Sequence, residues 1–260
     1  MKGLITITTD FGLKDHYVGV MKGVIYSINP DVRIVDISHN VPAHDILRAA
    51  LMLRSSHSFF PKGTVHIVVV DPGVGGKRSP IVVEACGQLF VGPDNGVFTC
   101  IYEEDTRYIA RRIENPLLML KTVSCTFHGR DIFAPAAAHF SEGFRVAEAG
   151  SVVESPVKLR IPKPETAATT IRGCVLYADG FGNLITNVPS QLAVGARRIL
   201  ISGVAIEGIS KSYDEAGKGE LLAIIGSSGF LEISVNQGSA EKRLNLEGKR
   251  GEEVLVELLF

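Results

Sequence analysis

Three short polar segments carry the side chains most able to do chemistry in this chain: Thr8-Thr9-Asp10-Phe11-Gly12, Asp71-Pro72-Gly73-Val74-Gly75-Gly76-Lys77-Arg78 and Thr126-Phe127-His128-Gly129-Arg130-Asp131. Each also reads as ordinary turn chemistry, because Asp before Phe-Gly or Pro-Gly starts turns and His sits readily at a helix entrance. Two of the three must end on the same edge of one sheet, which makes a carboxylate, a cation and an imidazole available together. Three nucleotide motifs are absent. The glycine-rich Asp71–Arg78 stretch has Asp where a phosphate-binding P-loop needs its first Gly, and Arg where it needs Ser or Thr. Asp10-Phe11-Gly12 matches the kinase metal-binding triplet, but no glycine-rich loop, lysine strand or catalytic loop precedes it. No GxGxxG follows the first apolar run, which argues against NAD and FAD.

Two polar turns in the second half are candidates for recognition, namely Asp179-Gly180-Phe181-Gly182-Asn183 and Gly226-Ser227-Ser228-Gly229-Phe230. Turn propensity alone accounts for either. Their functional reading is that Asp holds an ammonium, Asn reads an adenine edge, and Ser with backbone amides holds a carboxylate. Tyr213 or Phe181 would supply an aromatic lid.

The elements that must position these residues follow from periodicity. Leu4 to Thr9 reads as a strand. Tyr17, Val20, Met21, Val24, Ile25 and Ile28 then form one helical stripe that ends near Pro30. Strands are expected at Arg33 to Ile37 and Thr64 to Val70, around a helix at Asp45 to Leu53. Ile81 to Ala85 and Leu89 to Val91 read as a hairpin, and Ile132 to Phe140 as a helix beginning just after His128-Gly129-Arg130. Pro156, Pro162 and Pro164 break all periodicity, so residues 156–170 read as a linker. Beyond it come short β-like runs at Arg172 to Ala178, Asn183 to Val188, Arg198 to Val204, Glu220 to Ile225, Phe230 to Val235 and Glu253 to Leu258, with no amphipathic helix. The expected architecture is an α/β domain over 1–155 with a mostly parallel sheet and flanking helices, then a smaller antiparallel β-barrel-like domain over 171–260.

Composition narrows the function classes. Apolar residues make up 45% and charged residues 21%, which is a globular profile. Lys plus Arg is 27 against 28 for Asp plus Glu, so no global field attracts nucleic acid or anionic lipid. No apolar run approaches the ~20 residues of a membrane span, and no stretch near Met1 reads as a signal peptide, which points to the cytoplasm. Cys86, Cys100, Cys125 and Cys174 show neither CxxC pairing nor zinc-finger spacing and read as buried reduced thiols.

With these residues in place, the chain resembles the S-adenosyl-L-methionine hydroxide adenosyltransferases, adenosine-forming hydrolases related to the fluorinase and chlorinase enzymes. The resemblance spans nearly the whole sequence and is most specific at Asp71, Arg78 and His128, which match the family's Asp-Arg-His triad within DPGVGGKR and TFHGRD. It implies a ribose-binding role for Asp10 and a carboxylate near methionine at Asp15. It further implies contacts to methionine and adenine from Asp179, Phe181, Asn183, Ser227 and Ser228, with Tyr213 near an adenine-stacking aromatic. Hydrolysis of S-adenosyl-L-methionine to adenosine and methionine without a cofactor or metal is the implied activity. A homotrimer with active sites between subunits is the implied assembly. The halogenating relatives are expected to carry Tyr, Thr and Ser where this chain has its Asp71–Arg78 loop, which favours water over halide. Where the fluorinase is expected to place a tryptophan beside its substrate, this chain has no Trp and offers Ala43 or His44.

The chemistry of the residues agrees with such a reaction. A sulfonium leaves as a neutral thioether, so displacement at ribose C5′ needs no general acid, and the difficulty lies in the nucleophile. Arg78 would favour hydroxide, His128 is a candidate proton acceptor, and Asp71 would orient either one. Sequence leaves open which residue takes the proton. Three other readings remain: a halide-using adenosyltransferase, a non-catalytic sensor of adenosine or S-adenosylmethionine, and a phosphohydrolase with a metal on Asp10, Asp71 and His128.

Overall fold

A computed structural model describes residues 3–258, which divide into two compact units between Arg160 and Ile161. The division falls inside the proline-bearing stretch. In the first unit the order is β1 (Leu4–Thr9), α1 (Tyr17–Ile28), β2 (Arg33–Ser38), α2 (Ile46–Ser56), β3 (Val65–Val69), β4 (Pro80–Ala85), β5 (Gln88–Pro93), α3 (Thr99–Glu104), β6 (Ile109–Arg112) and α4 (Ala134–Ser141). The strands form one mixed sheet in the order β2-β1-β3-β5-β4-β6. β1, β2, β3 and β5 run parallel, while β4 is antiparallel to both β5 and β6.

Alternation along the strands fills two cores. Val65, Ile67 and Val69 of β3 join Ile5, Ile7, Met21, Ile25, Phe133 and Ala137 on one face. Val68 and Val70 join Leu53, Ile81, Val83, Phe90 and Ile101 on the other. A parallel sheet covered on both faces is the arrangement that makes its strands read as near-continuous apolar runs. The helix α3 and the strand β6 went unseen in the sequence, being only six and four residues long. Among the described residues, no helix is long and apolar enough to cross a membrane.

The second unit contains β7 (Glu165–Thr166), β8 (Thr170–Ala178), β9 (Leu184–Pro189), α5 (Ser190–Ala193), β10 (Ala196–Ile201), β11 (Val204–Glu207), β12 (Leu221–Ile225), β13 (Phe230–Val235), α6 (Ala240–Arg243) and β14 (Glu253–Leu258). Its eight-stranded sheet runs β11-β10-β14-β8-β9-β13-β12, with β7 paired to β8. All its strand pairs are antiparallel. A single bridge from Ser210 to Ile224 brings the two edges together, so the sheet is a nearly closed barrel around Val175, Leu184, Ile199, Leu231, Ile233 and Val254.

Four expectations need correction. Part of the stretch read as linker is structured: Glu165 and Thr166 extend the second unit's sheet, while the amides of Val157 and Leu159 bond to Asp94 and Thr99 of the first. The run Arg198 to Val204 is two strands, because Ser202 and Gly203 both adopt positive φ (49° and 76°) and turn the chain back as a two-residue hairpin. The second unit does contain helix, although α5 and α6 are single turns of four residues. Finally, all four thiols are free but only Cys100 is buried, and Cys125 is exposed.

Candidate active site

The sheet order places β1 between β2 and β3, so the chain leaves β1 in one direction and returns on its other side. Ligands of open α/β sheets bind at such a reversal, beyond the carboxyl ends of the strands. Thr9 of β1 pairs with Val69 of β3. Asp10 therefore emerges beside Val70, one residue before Asp71, and two of the three polar segments meet at the switch point.

The third segment arrives through tight backbone packing. Gly75 has φ +73°, and a Cβ there would stand 2.0 Å from the carbonyl oxygen of Cys125. Only glycine lets the Asp71–Arg78 loop lie against the chain leading to His128. From His128 the chain enters one π turn, Gly129–Phe133, before α4 begins. The sequence reading expected a plain α-helix there; an extra residue in one turn is a recurrent feature of functional helices. Asp131 lies in this turn with a fully buried side chain, accepting from the Ser124 amide at 2.8 Å and from Arg130 at 2.6 Å. Burial opposes its charge, but Arg130 and the Ser124 amide outweigh that and hold the carboxyl below its usual range. Asp131 thus fixes the loop that presents His128. Sequence reasoning assigned it no role, although it stands within the quoted TFHGRD segment.

Arg78 joins the segments. Its Nε donates to both oxygens of Asp71 at 3.0 Å, and its Nη2 donates to Asp71 Oδ2 and, at 2.7 Å, to His128 Nδ1. Side-chain exposure is 9% for Arg78 and 4% for Asp71, so this is a buried pair, whose disruption from one side typically costs 3–5 kcal/mol. The Phe133 ring lies 5.5 Å from the guanidinium carbon. Arg78 Nη1 is buried without a hydrogen-bond partner among the described residues. Burial, and then Arg78, push His128 below the ordinary imidazole range, so the ring is neutral near pH 7. A guanidinium has no acceptor, so His128 Nδ1 must accept and the ring proton resides on Nε2. Asp71 and His128 Nδ1 both bond to Arg78, whose buried positive charge would repel a metal ion on the same donors and so argues against the metal-centred phosphohydrolase alternative.

Asp10 accepts from the His44 amide at 2.9 Å through Oδ2. His44 reaches it with φ +65°, in the turn ahead of α2 where the sequence left Ala43 or His44 open. Asp15 is exposed in the segment before α1.

In the second unit, Phe181, Asn183 and Tyr213 line one cavity of about 430 Å³ together with Val235, Gln237 and Gly238. Asp179 shapes its rim: Oδ1 accepts from the amides of Phe181 and Asn183, and Oδ2 from the Asn183 side chain. Gly182, at φ +83°, packs where a Cβ would meet Ser239. Phe181 is 81% exposed, an unusual cost in apolar surface unless something stacks on it. Ser227 and Ser228 lie apart from the cavity lining, in the turn joining β12 to β13. What the sequence missed is Glu232. It is 5% exposed, accepts from Tyr213 Oη at 2.7 Å and from Ser234, and approaches Gly226 of the serine turn. Burial, then Glu232, raises the Tyr213 phenol to about 12, keeping it a donor. An acid inside the apolar run Phe230-Leu-Glu-Ile-Ser-Val was the available signal.

These features define a class: an α/β unit with a buried Asp-Arg-His cluster at its switch point, followed by a β-barrel unit carrying an aromatic-lined cavity. Residues 5–150 match the SAM hydroxide adenosyltransferase N-terminal domain, and residues 173–253 match the C-terminal domain of the same family. The chain belongs to the SAM hydroxide adenosyltransferase family. It is 38% identical over 252 residues to the (R)-S-adenosyl-L-methionine hydrolase of Thermus thermophilus, covering 92% of this chain and 94% of that protein. The (R)-S-adenosyl-L-methionine hydrolase of Methanocaldococcus jannaschii is 36% identical over 261 residues, with 94% and 92% covered. A fluorinase from Actinoplanes sp. is more distant, at 26% identity over 281 residues and 94% of each chain. A crystal structure of an uncharacterized conserved protein from Thermotoga maritima superposes with a TM-score of 0.90 at 40% identity, covering 97% of this chain and 99% of that one.

Proposed function

We propose that this chain hydrolyses S-adenosyl-L-methionine to adenosine and L-methionine by attack of a water-derived oxygen on ribose C5′. The observation that carries the reading is the division of labour on Arg78. Nε and Nη2 are committed to Asp71 and His128, while Nη1 remains a buried donor without a partner among the described residues. An unsatisfied buried donor costs about 1–3 kcal/mol, which a bound oxygen nucleophile would recover. Deprotonating water at pH 7, from its pKa of about 15.7, costs about 12 kcal/mol, and a preorganised cation in a dry site lowers that cost.

In this scheme His128 is a donor rather than the base. Its Nδ1 is occupied by Arg78, so Nε2–H and Arg78 Nη1 together hold the attacking oxygen, and the water's proton leaves to solvent. Asp10 grips the ribose diol through the oxygen not held by His44, and Asp15 lies near the methionine part. The new C5′–O bond forms as the C5′–S bond breaks, and its electron pair stays on sulfur, giving neutral methionine thioether. No general acid or cofactor is required. Phe181 and Tyr213 would flank the adenine, Asn183 would read its edge, and Asp179 would hold that turn in shape. Ser227 and Ser228 would meet the methionine carboxylate.

The homologous hydrolases are named for (R)-S-adenosyl-L-methionine. With the α-carbon fixed as L, the sulfonium is the centre that can vary, so we assign the R sulfonium epimer as the preferred substrate. The assembled enzyme is a homotrimer whose sites each use the first unit of one copy and the second unit of another. This assembly is supported by the family resemblance and by the presence of only part of the recognition set on each unit. It works in the cytoplasm, a placement supported by its four free cysteines. Chromatography of separate R and S epimers incubated with purified enzyme tests the reading, and light scattering should give about three times the 28.0 kDa chain mass. Adenosine appearing faster from the R epimer is the expected result. No adenosine from either epimer, or a halogenated nucleoside when chloride is added, would overturn it.

A further inference from the structure

A second group of reactive side chains lies at the opposite end of the first unit's sheet, near the amino ends of β3 and β5, where Thr64 and Leu89 pair. His57 follows α2, Cys86 occupies the two-residue turn between β4 and β5, and Glu104 ends α3. One donor atom from each lies within 4.8 Å of the other two. They share a cavity of about 330 Å³ with Phe60, Lys62 and Gln88. We propose that His57 Nε2, Cys86 Sγ and the Glu104 carboxylate bind a zinc ion, leaving a fourth position open to the cavity.

The argument starts from Gln88. Its amide nitrogen donates to the carbonyls of His57, Phe60 and Pro61, which turns its Oε1 toward His57 Nδ1 at 3.1 Å. His57 Nδ1 must therefore carry a proton, which leaves Nε2 as the nitrogen free to take a metal. Nε2 faces Glu104 Oε2 at 2.9 Å. Two acceptors at this distance repel unless a positive charge lies between them, either a second ring proton or a metal ion. Cys86 decides in favour of the metal, because a third, soft donor on the same point contributes nothing to a proton. A hydrogen-bond acceptor on the other ring nitrogen, here Gln88 Oε1, commonly fixes the tautomer and orientation of a zinc-ligating histidine.

Local structure also favours the cation. Cys86 holds φ +53° in a hairpin turn where Gly, Asn or Asp is the unstrained choice, and its amide is tied to Asp105 at 2.8 Å, directly beside Glu104. The carboxyl end of α2, with its negative dipole, terminates at His57. Lys62 is the one cation in the lining, and its ammonium is held on the Cys86 carbonyl. Zinc with a thiolate and a carboxylate is net neutral, so Lys62 does not oppose it. Zinc bonds of 2.0–2.3 Å give tetrahedral edges of ~3.3–3.8 Å, so the three donors need shifts of only about 1 Å. Binding displaces two protons, the one shared between His57 Nε2 and Glu104 and the one on the Cys86 thiol.

The test uses the full chain, stripped with chelator and titrated with zinc chloride by calorimetry, with bound zinc counted by elemental analysis. One zinc per chain is expected for the unaltered protein and for Cys125→Ser. Affinity should fall at least ~100-fold in Cys86→Ala and in Glu104→Gln, the upper end of what loss of a supporting residue costs. Cobalt substitution should produce a thiolate-to-metal absorption band that Cys86→Ala lacks, and the band in the unaltered protein decides the matter should a variant misfold. Less than one zinc per chain, affinity unchanged in both variants, or a cobalt spectrum without that band would overturn the proposal.

Discussion

Replacing Arg78 with lysine keeps a positive charge beside Asp71 but removes the planar fork. The guanidinium makes two bonds of 3.0 Å from Nε to Asp71 and one of 2.7 Å from Nη2 to His128 Nδ1, and Nη1, without a partner among the described residues, is the donor proposed for the nucleophile. A single ammonium cannot span three partners in fixed directions. It would stay with Asp71, leaving His128 without its orienting donor and the oxygen without its cation. Loss of one preorganised donor to a developing oxyanion typically costs about 2.7–4 kcal/mol, so kcat should fall by ~10²–10³. KM should move less than about threefold, since none of the groups assigned to adenine, ribose or methionine changes. The assay is rapid-quench single turnover with nucleoside products resolved by chromatography, accompanied by thermal unfolding to show that the fold is kept. A folded Arg78→Lys enzyme turning over within threefold of the unaltered one would refute the assignment of Arg78 to the nucleophile.

Other outcomes follow from the same geometry. His128→Gln offers an amide oxygen to Arg78 and an amide N–H to the nucleophile, so it should retain at least ~10-fold more activity than His128→Ala; equal loss in both would restore His128 as the base. Because burial and Arg78 depress the His128 pKa, its neutral form survives below the usual imidazole range of about 6.5 and is lost only as pH falls through the lowered value. The acid limb of kcat/KM against pH should accordingly lie below about 6.5, and a limb above it contradicts the neutral assignment. Gly75→Ala forces a Cβ toward the Cys125 carbonyl at a positive φ, which should lower unfolding stability by about 1–3 kcal/mol and reduce kcat as the triad loop lifts; calorimetric melting and turnover measure both. Asn183→Ala should raise KM about tenfold with little change in kcat, as expected for loss of a binding contact worth about 1.4 kcal/mol.

The legible part of the site was local. Asp71 and Arg78 are seven residues apart in one loop after a buried strand, and strand alternation was enough to bring Asp10 to the same sheet edge. His128 could be nominated, but its link to Arg78 runs across fifty residues and depends on Gly75 lying against Cys125, which no periodicity encodes. Glu232 received no role from the sequence because β13 is buried along its whole length, and nothing in the residue pattern separates a buried acid there from a solvent-facing one. The cluster of His57, Cys86 and Glu104 was invisible for a different reason: three elements supply one residue each, and the spacing of 29 and 18 residues matches no ligand motif. Misread burial of Cys125 and the split of the Arg198 to Val204 run both trace to turns, where composition says little about exposure or reversal.

The most direct test of the account is the fate of oxygen. Single-turnover reaction of the R sulfonium epimer in ¹⁸O-enriched water, read by mass spectrometry, should place one labelled atom in the 5′-hydroxyl of adenosine and none in methionine. Unlabelled adenosine, label in methionine, or a product whose 5′ carbon carries anything but solvent oxygen would contradict it.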